Sequence, residues 1–248
     1  MRTIRNKVLS NTCDAMEIDS SNMLFRHPTT ILLAGPTGCG KTEFLASMLE
    51  SRAIQPFPER LYWVYSEWQP AYERIRKLHS LSSTHVQFVK EFDESLYGSI
   101  DPAYRNMVVL DDQMENATVR KGEGASVLAK FFTQGSHHRN LTVVFIVQNL
   151  FNQARAMRTV SLNSHYLVLF KNPRDKTQIR TLAAQMYPSQ ARFLMDAYED
   201  ATRQPFGHLV VDLRTDTPDE VRVRTNVYDL AKLVVYTPTG SGSKHELV

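Results

Sequence analysis

The eight residues GPTGCGKT, Gly35 to Thr42, follow the apolar run TTILLA and precede a segment of helical character. They satisfy G-x-x-x-x-G-K-[ST], a spacing suited to cradling a chain of phosphates. Glycines let the backbone curl until its N–H groups point inward at phosphate oxygens, and the start of the following helix adds partial positive charge. On this reading Gly35, Pro36, Thr37, Gly38, Cys39, Gly40, Lys41 and Thr42 line the loop. Lys41 reaches the β- and γ-phosphates, and the Thr42 hydroxyl is offered to Mg²⁺. A glycine-rich turn that merely joins strand to helix is the plainer alternative, and the strand before and helix after argue against it.

A second motif supplies what the loop lacks. A magnesium-bound triphosphate needs a carboxylate at the end of a neighbouring strand, and the run VVLDDQ ends in two. Asp111 fits the metal role, so the expected cofactors are ATP and Mg²⁺. Asp112 points the other way and can polarise an attacking water, which favours hydrolysis over binding alone. The competing explanation is that paired aspartates simply suit a solvated strand-to-loop turn.

The stretch TQGSHHRNLTVVFIVQN, Thr133 to Asn149, holds the remaining candidates. His137 and His138 are adjacent and diverge on any regular element, with no further ligands nearby, so a metal site is not expected there. Arg139 stands directly before the strand, where a guanidinium can reach a neighbouring subunit's nucleotide and stabilise charge on the transferring phosphoryl. Gln148 ends the strand; its amide can donate to phosphate and accept from water, as a sensor of the intact nucleotide.

These residues need a frame. Strands are expected at TTILLA, Leu61–Ser66, Val86–Phe92, Asn106–Asp112, Leu141–Val147 and His165–Phe170, with helices at Lys41–Ser51, Ala71–Leu81, Ser126–Gln134, Thr177–Tyr187 and Ser189–Ala201. HLVVDL and VRVRTNV, flanking the turn-rich TDTPDE, read as a C-terminal antiparallel pair. Continuous apolar strands alternating with helices predict an α/β fold with a mostly parallel central sheet covered on both faces, in which ligands bind beyond the carboxyl ends of the strands. Residues 1–24 read as a polar arm, 25–236 as one domain and 237–248 as a disordered tail.

Composition narrows the classes. A formal charge of +3 permits a nucleic-acid partner without demanding one. Cys13 and Cys39 alone cannot build a disulfide framework or a cysteine-rich zinc site, which favours a reducing compartment. No signal-peptide core and no apolar run of about 20 residues is present, so the expectation is an intracellular protein that is not secreted and has no membrane anchor.

Taken together, GPTGCGKT, a strand ending in VVLDDQ and HHRN before a strand ending in Gln148 resemble the FtsK–HerA group of P-loop motors, above all the DNA-packaging ATPases of eukaryotic double-stranded DNA viruses (poxvirus type) and virus-like transposons (Polinton/adintovirus type). VYSEWQPAY, RTVSLNSHYLVLFKNPRDK, PFGHLVVDL and TPDEVRVRTN add to the likeness, which runs from about Phe25 to Tyr228. It implies a three-layer P-loop NTPase of the additional-strand (ASCE) type, acting as a homo-oligomeric ring, a hexamer or pentamer, that translocates double-stranded DNA into a capsid. Lys41 and Thr42 then match the Walker A lysine and magnesium hydroxyl, Asp111 the Walker B aspartate and Gln148 the polar sensor. Asp112 stands where the group commonly has Glu. Arg139 lies close to the inter-subunit arginine, with Arg155 and Arg158 as rivals. Implied partners are sequence-independent duplex DNA and viral capsid or portal proteins, in the host nucleus or cytoplasm where virions assemble. Arg120, Lys121, Arg222 and Arg224 are candidate contacts to DNA phosphates. A helicase, or a slow nucleotide-gated switch or scaffold, is the alternative function.

Overall fold

Strands that are apolar on both faces must be covered on both, and the helices supply that cover. The computed structural model describes residues 5–8, 23–90, 92–111, 124–135, 138–150 and 155–238. In chain order the elements are β1 (Arg5–Val8), β2 (Phe25–Arg26), β3 (Thr30–Ala34), α1 (Lys41–Glu50), β4 (Ile54–Gln55), β5 (Arg60–Val64), α2 (Pro70–Arg76), β6 (His85–Val89), α3 (Glu94–Ser99) and β7 (Asn106–Leu110). There follow α4 (Gly124–Lys130), β8 (Leu141–Val147), α5 (Arg155–Leu162), β9 (Tyr166–Phe170), α6 (Thr177–Met186), α7 (Ala191–Ala201), β10 (His208–Asp212), β11 (Val223–Thr225) and β12 (Val234–Thr237).

Among the described residues one ten-stranded sheet has the order β1-β12-β11-β10-β9-β3-β8-β7-β5-β6. From β9 to β6 every pair is parallel. β10, β11 and β12 extend the sheet in antiparallel fashion beyond β9, so the expected C-terminal pair is part of a longer extension. The alternation of side chains along each strand sorts the core into two layers. Leu32, Val108, Val143 and Phe145 face Leu128, Phe131, Leu182 and Leu194, while Leu33, Trp63, Val109 and Ile146 face Phe44, Leu45, Met48 and Ile75.

Several elements were not anticipated. β1 falls inside the expected polar arm and pairs in parallel with β12 at the sheet's edge, where polar composition is common. Helix α3 is too short to show a period; Asp93 caps it by accepting from the Leu96 N–H at 3.1 Å. Helix α5 lay in a stretch without a recognised apolar stripe. Helix α4 begins two residues earlier than expected, and its last turn widens into a π-helical segment at Phe131–Gly135. Among the described residues no helix is long and apolar enough to cross a membrane.

The antiparallel extension corrects the expectation for Arg222 and Arg224. Arg224 is fully buried, pairs with Asp212 at 3.1 Å and donates to the Val221 carbonyl at 2.8 Å. Arg222 precedes β11 and donates to the carbonyls of Asp212, Arg214 and Thr217 and to Asp219. Both guanidiniums stitch the β10–β11 connection together instead of facing a phosphate backbone. Because removing one partner strands a buried charge, Asp212→Ala should lower unfolding free energy by about 3–5 kcal/mol, read from the midpoint of a urea titration.

Candidate active site

The loop from Gly35 to Gly40 leaves the carboxyl end of β3 and turns directly into α1. Gly38 and Gly40 have φ of +77° and +101°, a region that side chains rarely adopt, so the curl depends on glycine at both positions. The Gly35 N–H donates to the Val147 carbonyl at 3.2 Å, tying the loop's first residue to the end of β8. Lys41 folds inward: its Nζ donates to the carbonyls of Gly35 at 2.6 Å and Pro36 at 2.9 Å. The N-cap of α1 is Gly40, which has no side chain to cap with, so the first-turn amides are left for a ligand in the loop. The half-buried Cys39 thiol is pushed up by burial, against the lowering effect of the Lys41 ammonium, and stays protonated at neutral pH.

Asp111 directly follows β7, and only β8 separates that strand from β3. At ordinary strand spacing the ends of β3 and β7 lie about 10 Å apart, a gap that a phosphate-bound cation can bridge. The carboxylate is buried, and its Oδ2 accepts from the Tyr72 hydroxyl at 2.8 Å; the Asp111 N–H donates to Val64 O at 2.9 Å. Tyr72, on α2, is itself buried and sets the carboxylate's direction; its place in sequence carried no sign of that role. The donor set of one hydroxyl, Thr42, and one carboxylate, Asp111, consists of hard oxygens, which suits Mg²⁺.

Gln148 is exposed at the end of β8 and borders a small crevice with Gly35, Asn172, Asp175, Gln178 and Tyr198. Gln178, unremarked in the sequence, clamps the adjoining backbone. Its Oε1 accepts from the Leu150 N–H at 2.6 Å, and its Nε2 donates to Asn149 Oδ1 at 3.3 Å and Asp175 Oδ2 at 2.9 Å. Lys41, Thr42, Asp111 and Gln148 therefore all lie just beyond the carboxyl ends of the neighbouring strands β3, β8 and β7.

Arg139 does not join them. It precedes the opposite end of β8, and the seven-residue strand, about 23 Å long, stands between it and Gln148. There its guanidinium donates to the Ile100 carbonyl at 3.0 Å and lies 5.1 Å from the centre of the Tyr97 ring. That separation keeps it away from a nucleotide bound in this chain's own loop. Arg158 is exposed on α5, and Arg155 opens that helix. Asp112, Arg120, Lys121 and His137 lie outside the described residues.

Behind the loop, His208 is almost fully buried against Phe44, Phe170 and Tyr228, with ring centres 4.7–5.9 Å away. Burial pulls its pKa down to about 4, opposed only by the Phe206 backbone, and its Nε2 has no hydrogen-bond partner among the described residues.

A parallel sheet of order β9-β3-β8-β7-β5 with GPTGCGKT between β3 and α1 defines a P-loop NTPase fold of the additional-strand type. No known protein-family model matches the chain. Among solved structures, the genome packaging NTPase B204 of Sulfolobus turreted icosahedral virus 2 in complex with sulfate is similar with a TM-score of 0.52 and 12% identity, over 85% of this chain and 96% of that one. The DNA-packaging ATPase B204 of Sulfolobus turreted icosahedral virus gives 0.50 and 8%, over 85% and 97%. At such identities the likeness is one of fold. A short segment is 42% identical over 38 residues to Packaging protein 1 of human adenovirus C serotype 5, covering 15% of this chain and 8% of that protein.

Two outcomes follow from the geometry. Tyr72→Phe removes a hydrogen bond to a carboxylate, so stability should fall by about 1.5–3 kcal/mol and the Mg²⁺ dependence of nucleotide binding should weaken, measured by denaturation and by titration calorimetry at varied Mg²⁺. His208 is depressed in the folded state, so the unfolded chain binds the proton more readily between pH 6.5 and 4. Its neutral burial is tolerated fully above pH 6.5, and stability drains by about 3 kcal/mol as pH falls to 4. His208→Gln should flatten that part of the stability–pH curve relative to the unaltered protein.

Proposed function

We propose that the chain is an ATP-hydrolysing motor that translocates double-stranded DNA into a viral capsid. The placement of Lys41, Thr42, Asp111 and Gln148 just beyond the carboxyl ends of neighbouring strands carries the reading of the reaction. The fold shared with the B204 packaging proteins and the short match to Packaging protein 1 favour a packaging motor over a helicase or a switch.

In this reading Thr42 and Asp111 would hold Mg²⁺, which would supply charge neutralisation to the phosphates. Lys41 exchanges its loop carbonyls for phosphate oxygens, and the loop amides hold the phosphate chain in line. Gln148 donates to the γ-phosphate and accepts from the attacking water. Asp112 takes that water's proton as the new P–O bond forms and the bond to the β-phosphate's bridging oxygen breaks. Arg139 acts in trans on the neighbouring subunit's nucleotide, within a closed ring of five or six copies. Arg120 and Lys121, outside the described residues, are the candidates for contacts to DNA phosphates made without regard to sequence. Capsid or portal proteins receive the ring inside the host cell, in the nucleus or cytoplasm where virions assemble.

The test is ATP turnover with and without duplex DNA. A motor accelerates on duplex, a switch is indifferent, and strand displacement identifies a helicase. Lys41→Ala should abolish ATP binding, and tight binding retained in that variant overturns the site. Arg139→Ala should keep ATP affinity and lose turnover by about 10³-fold, and mixing it with unaltered protein should depress activity more than dilution does. Normal turnover in Arg139→Ala transfers the role to Arg155 or Arg158.

A further inference from the structure

The turn Gln204–Gly207 sits where β10 begins, and the β10 residue His208 pairs with Phe170 at the end of β9. The turn therefore lies at the same sheet edge as the phosphate loop. The Gly207 N–H donates to the Gln204 carbonyl at 3.2 Å, Pro205 holds the second position, and Phe206 holds the third with φ of +61°. That third position, with positive φ, belongs by ordinary turn chemistry to Gly or Asn. A phenylalanine there stores backbone strain, and strain of this kind clusters at sites that use it. The side chain gains little burial in return, since Phe206 is 64% exposed. Its position is nevertheless held firmly. A Cβ on Gly207 would come within 2.4 Å of the Ala201 carbonyl, so the turn rests directly on the end of α7.

What the ring touches decides its use. A Cβ built on Gly40 would meet Phe206 Cδ1 at 3.0 Å and Cβ at 3.2 Å, so the ring lies against the last glycine of the phosphate loop. Among the described residues the other exposed aromatic at this end of the sheet, Trp68, sits beyond β5 and is engaged edge-on with Tyr65, Tyr72 and Phe88. A nucleotide whose phosphates fill the loop must leave its base outside it. An aromatic face needs no particular hydrogen-bond pattern to hold a base, because every base presents a π-face.

We propose that Phe206 is the platform on which the nucleotide's base stacks, an assignment that rests on the nucleotide reading of the loop. The strained turn keeps the ring out in solvent and against Gly40, at the mouth of the site. The test compares ATP with inorganic tripolyphosphate, each competing against labelled ATP in the presence of Mg²⁺. Phe206→Ala should weaken ATP by about tenfold, the lower part of the range for a base stacked on an aromatic ring, and leave tripolyphosphate unchanged. Phe206→Tyr should bind ATP like the unaltered protein. An equal loss for both ligands makes the ring a prop for the loop and overturns the platform, as does undiminished ATP affinity in Phe206→Ala. If the unaltered protein binds neither ligand, or Lys41→Ala binds both as tightly as it does, the nucleotide reading itself falls.

Discussion

The constraint on which the site depends is the position of β8, hydrogen-bonded on one side to β3 and on the other to β7. The register pairs Ala34 with Val147 and Leu110 with Phe145, so the strands finish within two residues of one another. Their last residues open into the phosphate loop, Gln148 and Asp111. A slip of one residue in β8 would turn each of its seven buried side chains to the opposite core layer. That cost holds the register far more firmly than any polar contact at the site. The apolar core thereby fixes the relative height of a lysine, a carboxylate and an amide that share no direct bond.

The antiparallel extension beyond β9 does a different job. Its buried Arg224–Asp212 pair is an expensive way to gain stability, since desolvating both groups offsets much of their attraction. Well-fitted apolar residues would serve cohesion as well. What the ion pair specifies is direction: with the carbonyls taken by Arg222, it ties β10 to β11 across a long, turn-rich connection. β10 in turn starts at the nucleotide edge, so the extension determines where His208 enters the core behind the loop and where the Gln204–Gly207 turn stands in front of it.

Much of this frame was legible in the residues because the strongest signals are local. GPTGCGKT carries its own strand, turn and helix, and TTILLA, NMVVLDD and LTVVFIV are apolar enough to be recognised as strands buried on both faces. Other features depend on long-range pairing. Tyr72 meets Asp111 from 39 residues away, and nothing in PAYERIR marks that tyrosine over the others. VRVRTNV offered Arg222 and Arg224 as contacts to DNA phosphates, but the strand covers only Val223–Thr225 and its arginine is consumed by Asp212 from an adjacent strand. Arg139 was correctly read as preceding a strand beside β3; which end of that strand faces the nucleotide follows from the parallel direction, and that puts the whole length of β8 between them.

That separation bears on how a ring would couple its sites. β8 is buried throughout and bonded along both edges, so it cannot slide alone without breaking two ladders and the core. Its ends are freer. At one end Arg139 is held, among the described residues, by the Ile100 carbonyl and the face of Tyr97, contacts of moderate strength that a more strongly charged partner can replace. At the other, the backbone after Gln148 is clamped by Gln178, whose amide also binds Asp175 at the start of α6. Helix α6, which carries Gln178, packs along α7, whose end carries the turn bearing Phe206. Packed contacts thus join the backbone after Gln148 to the Phe206 turn through these two helices, while β8 stands as a rigid bar between Gln148 and Arg139.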